Sequence, residues 1–213
     1  MEDYLKTIYK LSHDRKSVST SDIASSMECA PASVTNMLQK LSSLQLVEYR
    51  PYRGVRLTSA GEKIALEVVR HHRLIELYLS ERLGYSWDRV HDEADRLEHV
   101  ISEEMEEKMD QALGFPETDP HGDPIPTREG QIRTGPLVSL WKSPAGQGEV
   151  QVVRVSDKDP AVLRYLAELG IYPRVKIKVI KRAPFNGPVS VGVGNQIHDL
   201  GEELALQIFV EPA

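Results

Sequence analysis

Four side chains within nine residues have the types and spacing to hold a metal ion. His91, Asp95, Glu98 and His99 stand at i, i+4, i+7 and i+8, so on a helix they fall close to one face. His72 and Glu76 form a second i, i+4 pair upstream, and Asp3 stands at the start of the first amphipathic segment. Imidazole and carboxylate without thiolate is a donor set suited to octahedral or near-octahedral Mn(II) or Fe(II), with Zn(II), Cd(II) or Co(II) as surrogates. A lone histidine on an acidic helix is ordinarily a solvated side chain, and an acidic stripe can also face another protein. Four donors in register with a second pair favour metal. The same donors could activate water in an enzyme, but no nucleophile motif or phosphate loop accompanies them. No enzymatic activity and no small-molecule substrate are expected.

The elements that must position these donors are helical. Apolar residues Ile64, Val68, Val69, Leu74, Ile75 and Leu79 predict a long helix capped by Ser59, with Glu62 completing a capping box. That helix carries His72 and Glu76. After Gly84-Tyr85-Ser86, a further helix over 87–113 carries His91 to His99. Residues 115–130 are rich in Pro, Gly and Asp and read as a connector. Within it Asp119-Pro120-His121 offers a ligand pair by type, although a plain surface turn is the simpler reading. Residues 131–147 continue as linker. Short β-like runs at 149–155, 175–180, 189–193 and 205–209, with a helix over 161–169, predict a small β-barrel.

The head of the chain has a different job. An amphipathic helix over 2–11 is followed by Ser19-Thr20-Ser21-Asp22, which caps a short helix, and by Pro31, which starts another over 32–44. The runs 46–50 and 54–58 form a hairpin around Pro51-Tyr52-Arg53, giving a winged helix-turn-helix. The second helix turns Val34, Leu38, Leu41 and Leu44 inward and shows Ser33, Thr35, Asn36, Gln39 and Lys40 outward. Asn36 and Gln39 are the natural base readers. The other polar groups, with Arg50 and Arg53 on the wing, suit phosphate, and Ala32 could offer a methyl contact. Double-stranded operator DNA is the expected partner. Two amphipathic helices behind such a head predict a homodimer, since operators are commonly palindromic.

Composition bounds the rest. The 213 residues carry 26 basic and 32 acidic side chains, a net charge of −6, and 40% hydrophobic residues, as in a folded domain protein. Residues 1–60 hold 8 Lys/Arg and 6 Asp/Glu, whereas residues 91–120 hold 2 and 11. A mildly basic head beside a strongly acidic segment suits an anion at one and cations at the other. No apolar run approaches the roughly 18 residues of a membrane helix, and Met1-Glu2-Asp3-Tyr4 opens no signal peptide. The single Cys29 excludes an intramolecular disulfide and reads as a packing residue. A cytoplasmic protein is expected.

The run His91-Asp92-Glu93-Ala94-Asp95-Arg96-Leu97-Glu98-His99, with His72-Arg73-Leu74-Ile75-Glu76 upstream, resembles the diphtheria-toxin-repressor family of metal-dependent repressors. The opening Glu2-Asp3-Tyr4-Leu5-Lys6-Thr7-Ile8-Tyr9 is similar to its manganese-responsive members. The resemblance spans nearly the whole chain. It implies a mainly α protein with a small β domain: a winged helix-turn-helix over 1–64, a helical dimerisation and metal-binding domain over 65–130, a linker over 131–147, and an SH3-like (FeoA-type) β-barrel over 148–213. It also implies a repressor with metal as co-repressor in metal homeostasis. By position its primary site would be Asp3, Asp95, Glu98 and His99. The ancillary site would be His72, Glu76 and His91 with Asp159 from the C-terminal domain, or with His72 lying between the two.

Three departures from the family pattern sharpen the expectation. Asp3 and Asp95 stand where the iron-type branch has Met and Cys, which favours Mn(II), with Fe(II) as the alternative. Lys6 stands where two-domain manganese regulators carry a Glu, so two well-separated sites are expected rather than a close pair. Val162 replaces a side-chain ligand of the iron branch. The rival reading is a winged-helix regulator with a non-metal effector. A Pro-rich-peptide module is disfavoured by the few aromatics of the β-domain (Tyr165, Tyr172, Phe185, Phe209).

Overall fold

The computed structural model describes residues 1–12, 17–132, 135–144 and 148–213. The head comprises α1 (Glu2–Ser12), α2 (Thr20–Ser26), α3 (Pro31–Ser43), β1 (Val47–Arg50) and β2 (Gly54–Leu57). Ser19 caps α2 by accepting from the Asp22 amide at 3.0 Å, and Pro31, which needs no amide partner, opens α3. Leu5, Ile8, Ile23, Val34, Leu38, Leu41 and Val55 form its core, whereas Leu44, expected inward, stands at the C-cap of α3 and is exposed. Val18 bonds to both backbone groups of Val55, forming an isolated bridge beside the wing. Gly54 has φ +89°, and a Cβ there would lie 2.6 Å from the Val18 carbonyl oxygen, so glycine is required at this contact.

Helix α4 (Ser59–Leu83) is a 25-residue spine. Its cap is Thr58, whose hydroxyl accepts from the Gly61 amide at 3.1 Å, one residue earlier than the expected Ser59 box. Thr58 is the residue with extended backbone, which is what a cap needs. Ala65 belongs to the head's core, whereas Ile75 and Leu79 pack with Val90, Ala94 and Met109. The expected boundary at 64/65 therefore falls inside one continuous helix.

The single helix expected over 87–113 is two: α5 (Val90–Leu97) and α6 (Glu103–Leu113). Ser102 adopts extended backbone and accepts from the Met105 amide, with Glu103, Glu104 and Glu106 in the first turn behind it. A strong cap and acidic first turn start a new helix there. The break leaves Glu98 and His99 at the end of α5.

The remaining strands are β3 (Val138–Ser139), β4 (Glu149–Val155), β5 (Lys176–Arg182), β6 (Val189–Val193), β7 (Gln196–Leu200) and β8 (Ile208–Pro212). They form one antiparallel SH3-like sheet in the order β3-β8-β4-β5-β6-β7. Two helices accompany it, α7 (Pro160–Glu168) and α8 (Glu202–Ala205). The run 205–209 thus begins as the end of a helix, not as strand. The expected linker also contributes structure: β3 pairs with β8, and Leu140 is fully buried in the β-domain core. Trp87, ahead of α5, lies in that same core, stacks on His121 and meets Tyr172 at a tilt.

Candidate metal centre

Three groups of donors line up between α1, the helical core and the third domain. Asp3, Glu98 and His99 form the first, His72, His91 and Asp95 the second, and Glu76, His121 and Asp157 the third. Within each, the ligand-capable atoms lie within 4.8 Å of one another.

In the first group, His99 Nε2 is 2.5 Å from Asp3 Oδ1 and 3.4 Å from Glu98 Oε1, while its Nδ1 is 2.7 Å from Glu2 Oε2. Burial alone would lower the His99 imidazole, but the bond from Glu2 and the charge of Asp3 outweigh it and raise it. His71, the neighbour of His72, donates Nδ1–H to the Glu98 carbonyl at 3.1 Å and places Nε2 3.2 Å from Glu106. Arg70 bonds Glu106, Asp110 and the Pro126 carbonyl, so the backbone of Glu98 is anchored to a buried ionic network.

Glu76 joins the second and third groups. Its Oε1 is 2.9 Å from His72 Nε2 and 3.1 Å from His91 Nδ1, and its Oε2 faces His121 Nδ1 at 3.8 Å. Burial would raise this carboxyl, yet the hydrogen bonds from His72 and His91 hold it well below the usual carboxylate range. The same bond raises His91 against the opposing effect of burial. Asp95 is lowered against burial, chiefly by the charge of Lys6.

The third group shows the sharpest fit to a cation. His121 is fully buried and its Nε2 is 2.8 Å from the Trp87 carbonyl, so Nε2 carries the hydrogen. Nδ1 has no hydrogen-bond partner and is directed toward Glu76. A carbonyl bonded to the far ring nitrogen is the arrangement that orients metal-ligating imidazoles. Asp119, whose carboxylate caps the turn by accepting from the His121 and Asp123 amides, is pushed well above the carboxylate range by burial and by the charge of Glu76. The Asp119-Pro120-His121 segment is therefore a buried turn, not a surface one.

Some expected donors are regrouped. Asp95 meets His72 and His91 rather than Asp3, and Glu76 turns its second oxygen to His121 and Asp157. Asp159 is exposed and caps α7, accepting from the Ala161 amide at 2.8 Å, and joins none of the three groups. Asp157, two residues earlier, takes that place. Sequence spacing offered no signal for it, because it lies just past the end of β4 outside any periodic run.

Most of the residues expected to contact DNA are exposed on the head. Ala32, Ser33, Asn36, Gln39 and Lys40 are exposed on α3. Thr35 and Gln39 share a groove with Ser17, Ser19, Tyr49 and Arg53. Thr35 already donates its hydroxyl to the Pro31 carbonyl. Arg50, Arg53 and Arg56 cluster on the wing.

Comparison with known proteins then decides the family. Residues 1–55 match the N-terminal DNA-binding domain of iron-dependent repressors, residues 58–127 their metal-binding and dimerisation domain, and residues 144–212 the FeoA domain. The iron-dependent repressor IdeR of Mycobacterium bovis is 31% identical over 99% of this chain and 96% of its own. The chain belongs to the iron-dependent repressor family. Members of this family are DNA-binding repressors, not enzymes. A manganese-dependent transcriptional repressor in complex with manganese superposes with a TM-score of 0.90, at 39% identity over 100% of this chain and 99% of that one. ScaR with bound Zn2+ gives 0.80 at 33% identity, covering 100% and 99%. Among the described residues no helix is long and apolar enough to cross a membrane.

Proposed function

We propose that this repressor is Mn(II)-responsive and that Asp3, Glu98 and His99 are its switch. The observation that carries the reading is that one donor comes from the DNA-binding head and two from the helical core. A bound ion supplies positive charge and fixed bond directions between these donors. Asp3, sharing it with Glu98 and His99, would hold α1 against the core and so fix the spacing of two recognition helices in a dimer, about one DNA turn or roughly 34 Å. A 10- to 100-fold gain in operator affinity requires only about 1.4–2.8 kcal/mol of coupling. The nitrogen and oxygen donors, without sulfur, support Mn(II) over softer ions, as does the likeness to the manganese-bound repressor. Glu76, His121 and Asp157 would hold a second ion between the core and the third domain. Exposed Leu83, Tyr85, Val100 and Met105 on the helical core support a homodimer through that region.

Calorimetric titration of the metal-stripped protein with Mn(II), Fe(II) and Zn(II) tests this, repeated on the Glu98→Ala/His99→Ala protein. Saturable Mn(II) binding that the double substitution halves or removes is expected. A flat wild-type titration would leave a winged-helix regulator with another effector.

A further inference from the structure

Lys6 lies one helical turn after Asp3, on the same face of α1. The residue is only 7% exposed. Its Nζ donates to Glu98 Oε1 at 2.9 Å, to Glu98 Oε2 at 2.6 Å and to Asp95 Oδ1 at 2.9 Å, and lies 3.0 Å from His72 Nδ1. No other lysine among the described residues has such surroundings. These partners belong to both the first and the second donor groups. The ammonium thus sits at the junction of the proposed switch site and the neighbouring donor group, and it bonds both oxygens of the most buried carboxylate of the switch.

We propose that Lys6 is a built-in rival to the metal, and that its competition sets the ion concentration at which the protein switches. This rests on the metal reading above. In the metal-free protein the ammonium neutralises Glu98 and Asp95 and keeps α1 seated, with Leu5 and Ile8 buried on either side of it in sequence. An ion shared by Glu98, Asp3 and His99 must compete with Lys6 for the negative charge and lone pairs of the Glu98 carboxylate. The four-carbon stem lets the ammonium withdraw while the helix stays in place. A positive charge this near also disfavours a second positive charge directly, in a partly buried site where screening is weak. Lys6 therefore acts with opposite sign on two quantities: it stabilises the metal-free fold and weakens the metal complex. A lysine that only packed or only paired would not do both.

The test measures Mn(II) affinity by calorimetry and the melting temperature of the stripped full chain for wild type, Lys6→Gln and Lys6→Arg. Lys6→Gln is expected to melt several degrees lower without metal and to bind Mn(II) about 10-fold tighter or more. Lys6→Arg keeps the charge, so it should melt near wild type and bind Mn(II) no tighter. Unchanged or weaker Mn(II) binding by Lys6→Gln overturns the rivalry, as does an unchanged metal-free melting temperature. Tighter binding by Lys6→Arg overturns it too, and that arm stands even where stripped Lys6→Gln does not fold. Failure of the metal reading itself shows differently, as no Mn(II) binding by wild type.

Discussion

The two outer donor groups differ in how they are enclosed. In the Asp3 group the Asp3 side chain is 56% exposed and His99 29%, and only Glu98 is buried. In the His121 group both Glu76 and His121 are buried, with His121 locked by Trp87 from behind. The Asp3 group has open access to solvent, which suits an ion that comes and goes. The His121 group has two of its three donors, Glu76 and His121, walled in before any ion arrives, which suits one that is retained. The contrast teaches that similar donors can serve as a sensor or as a clamp according to which parts are already assembled.

Three outcomes would break or sharpen that contrast. The largest concerns DNA. Asp3→Ala should cut Mn(II)-dependent operator binding by about 10- to 100-fold, while His121→Ala should cost less than about 5-fold at saturating Mn(II), both read by fluorescence anisotropy. Equal losses would erase the division of labour. The next separates Asp157 from Asp159. Asp157→Ala should remove one bound Mn(II) per chain from a stoichiometric titration. Asp159→Ala should leave the stoichiometry intact and cost only the α7 cap, about 0.5–2 kcal/mol of stability. The reverse pattern would move the clamp's third donor to Asp159.

The smallest effect is on pH. His91 and His99 are raised above the ordinary imidazole value in the metal-free fold. Their contribution to stability is fully present below that value and is lost as pH rises through their raised ones. Between about pH 6 and 8 the stripped protein should therefore lose a degree or two of melting temperature. Over the same window Mn(II) affinity should rise, because the donors shed protons more readily. Melting curves and titrations across pH check the two slopes, and parallel slopes would contradict the assignment of these histidines as paired donors.

What could be read beforehand follows from locality. The winged head was legible because Ser19, Pro31 and the hairpin residues act on their immediate neighbours, and the spacing of Val34, Leu38 and Leu41 marks one buried face. The α5–α6 break was legible in principle from Ser102 and the acids after it, but the continued apolar periodicity masked it. The donor types were visible in His72, Glu76, His91, Asp95, Glu98 and His99, whereas their grouping was not. Grouping depends on how α1 and the third domain dock, through Lys6 on one side and Trp87 on the other. Asp157 was out of reach for the same reason: its neighbours in space, Glu76 and His121, are 81 and 36 positions away in the chain.

The backbone around Gly122 has one more consequence. A Cβ at Gly122 would meet the Val153 carbonyl oxygen at 2.0 Å, and the Val155 amide bonds the His121 carbonyl at 2.9 Å. Arg154 pairs with Asp123, Arg164 with Asp88, and Trp87 is seated in the core of the third domain. The covalent connection ahead of β3 is thus only one of several ties between the core and that domain. Expressed as two separate polypeptides divided there, the halves should find each other and reassemble, and the third domain behaves less like an appendage than like a tethered subunit.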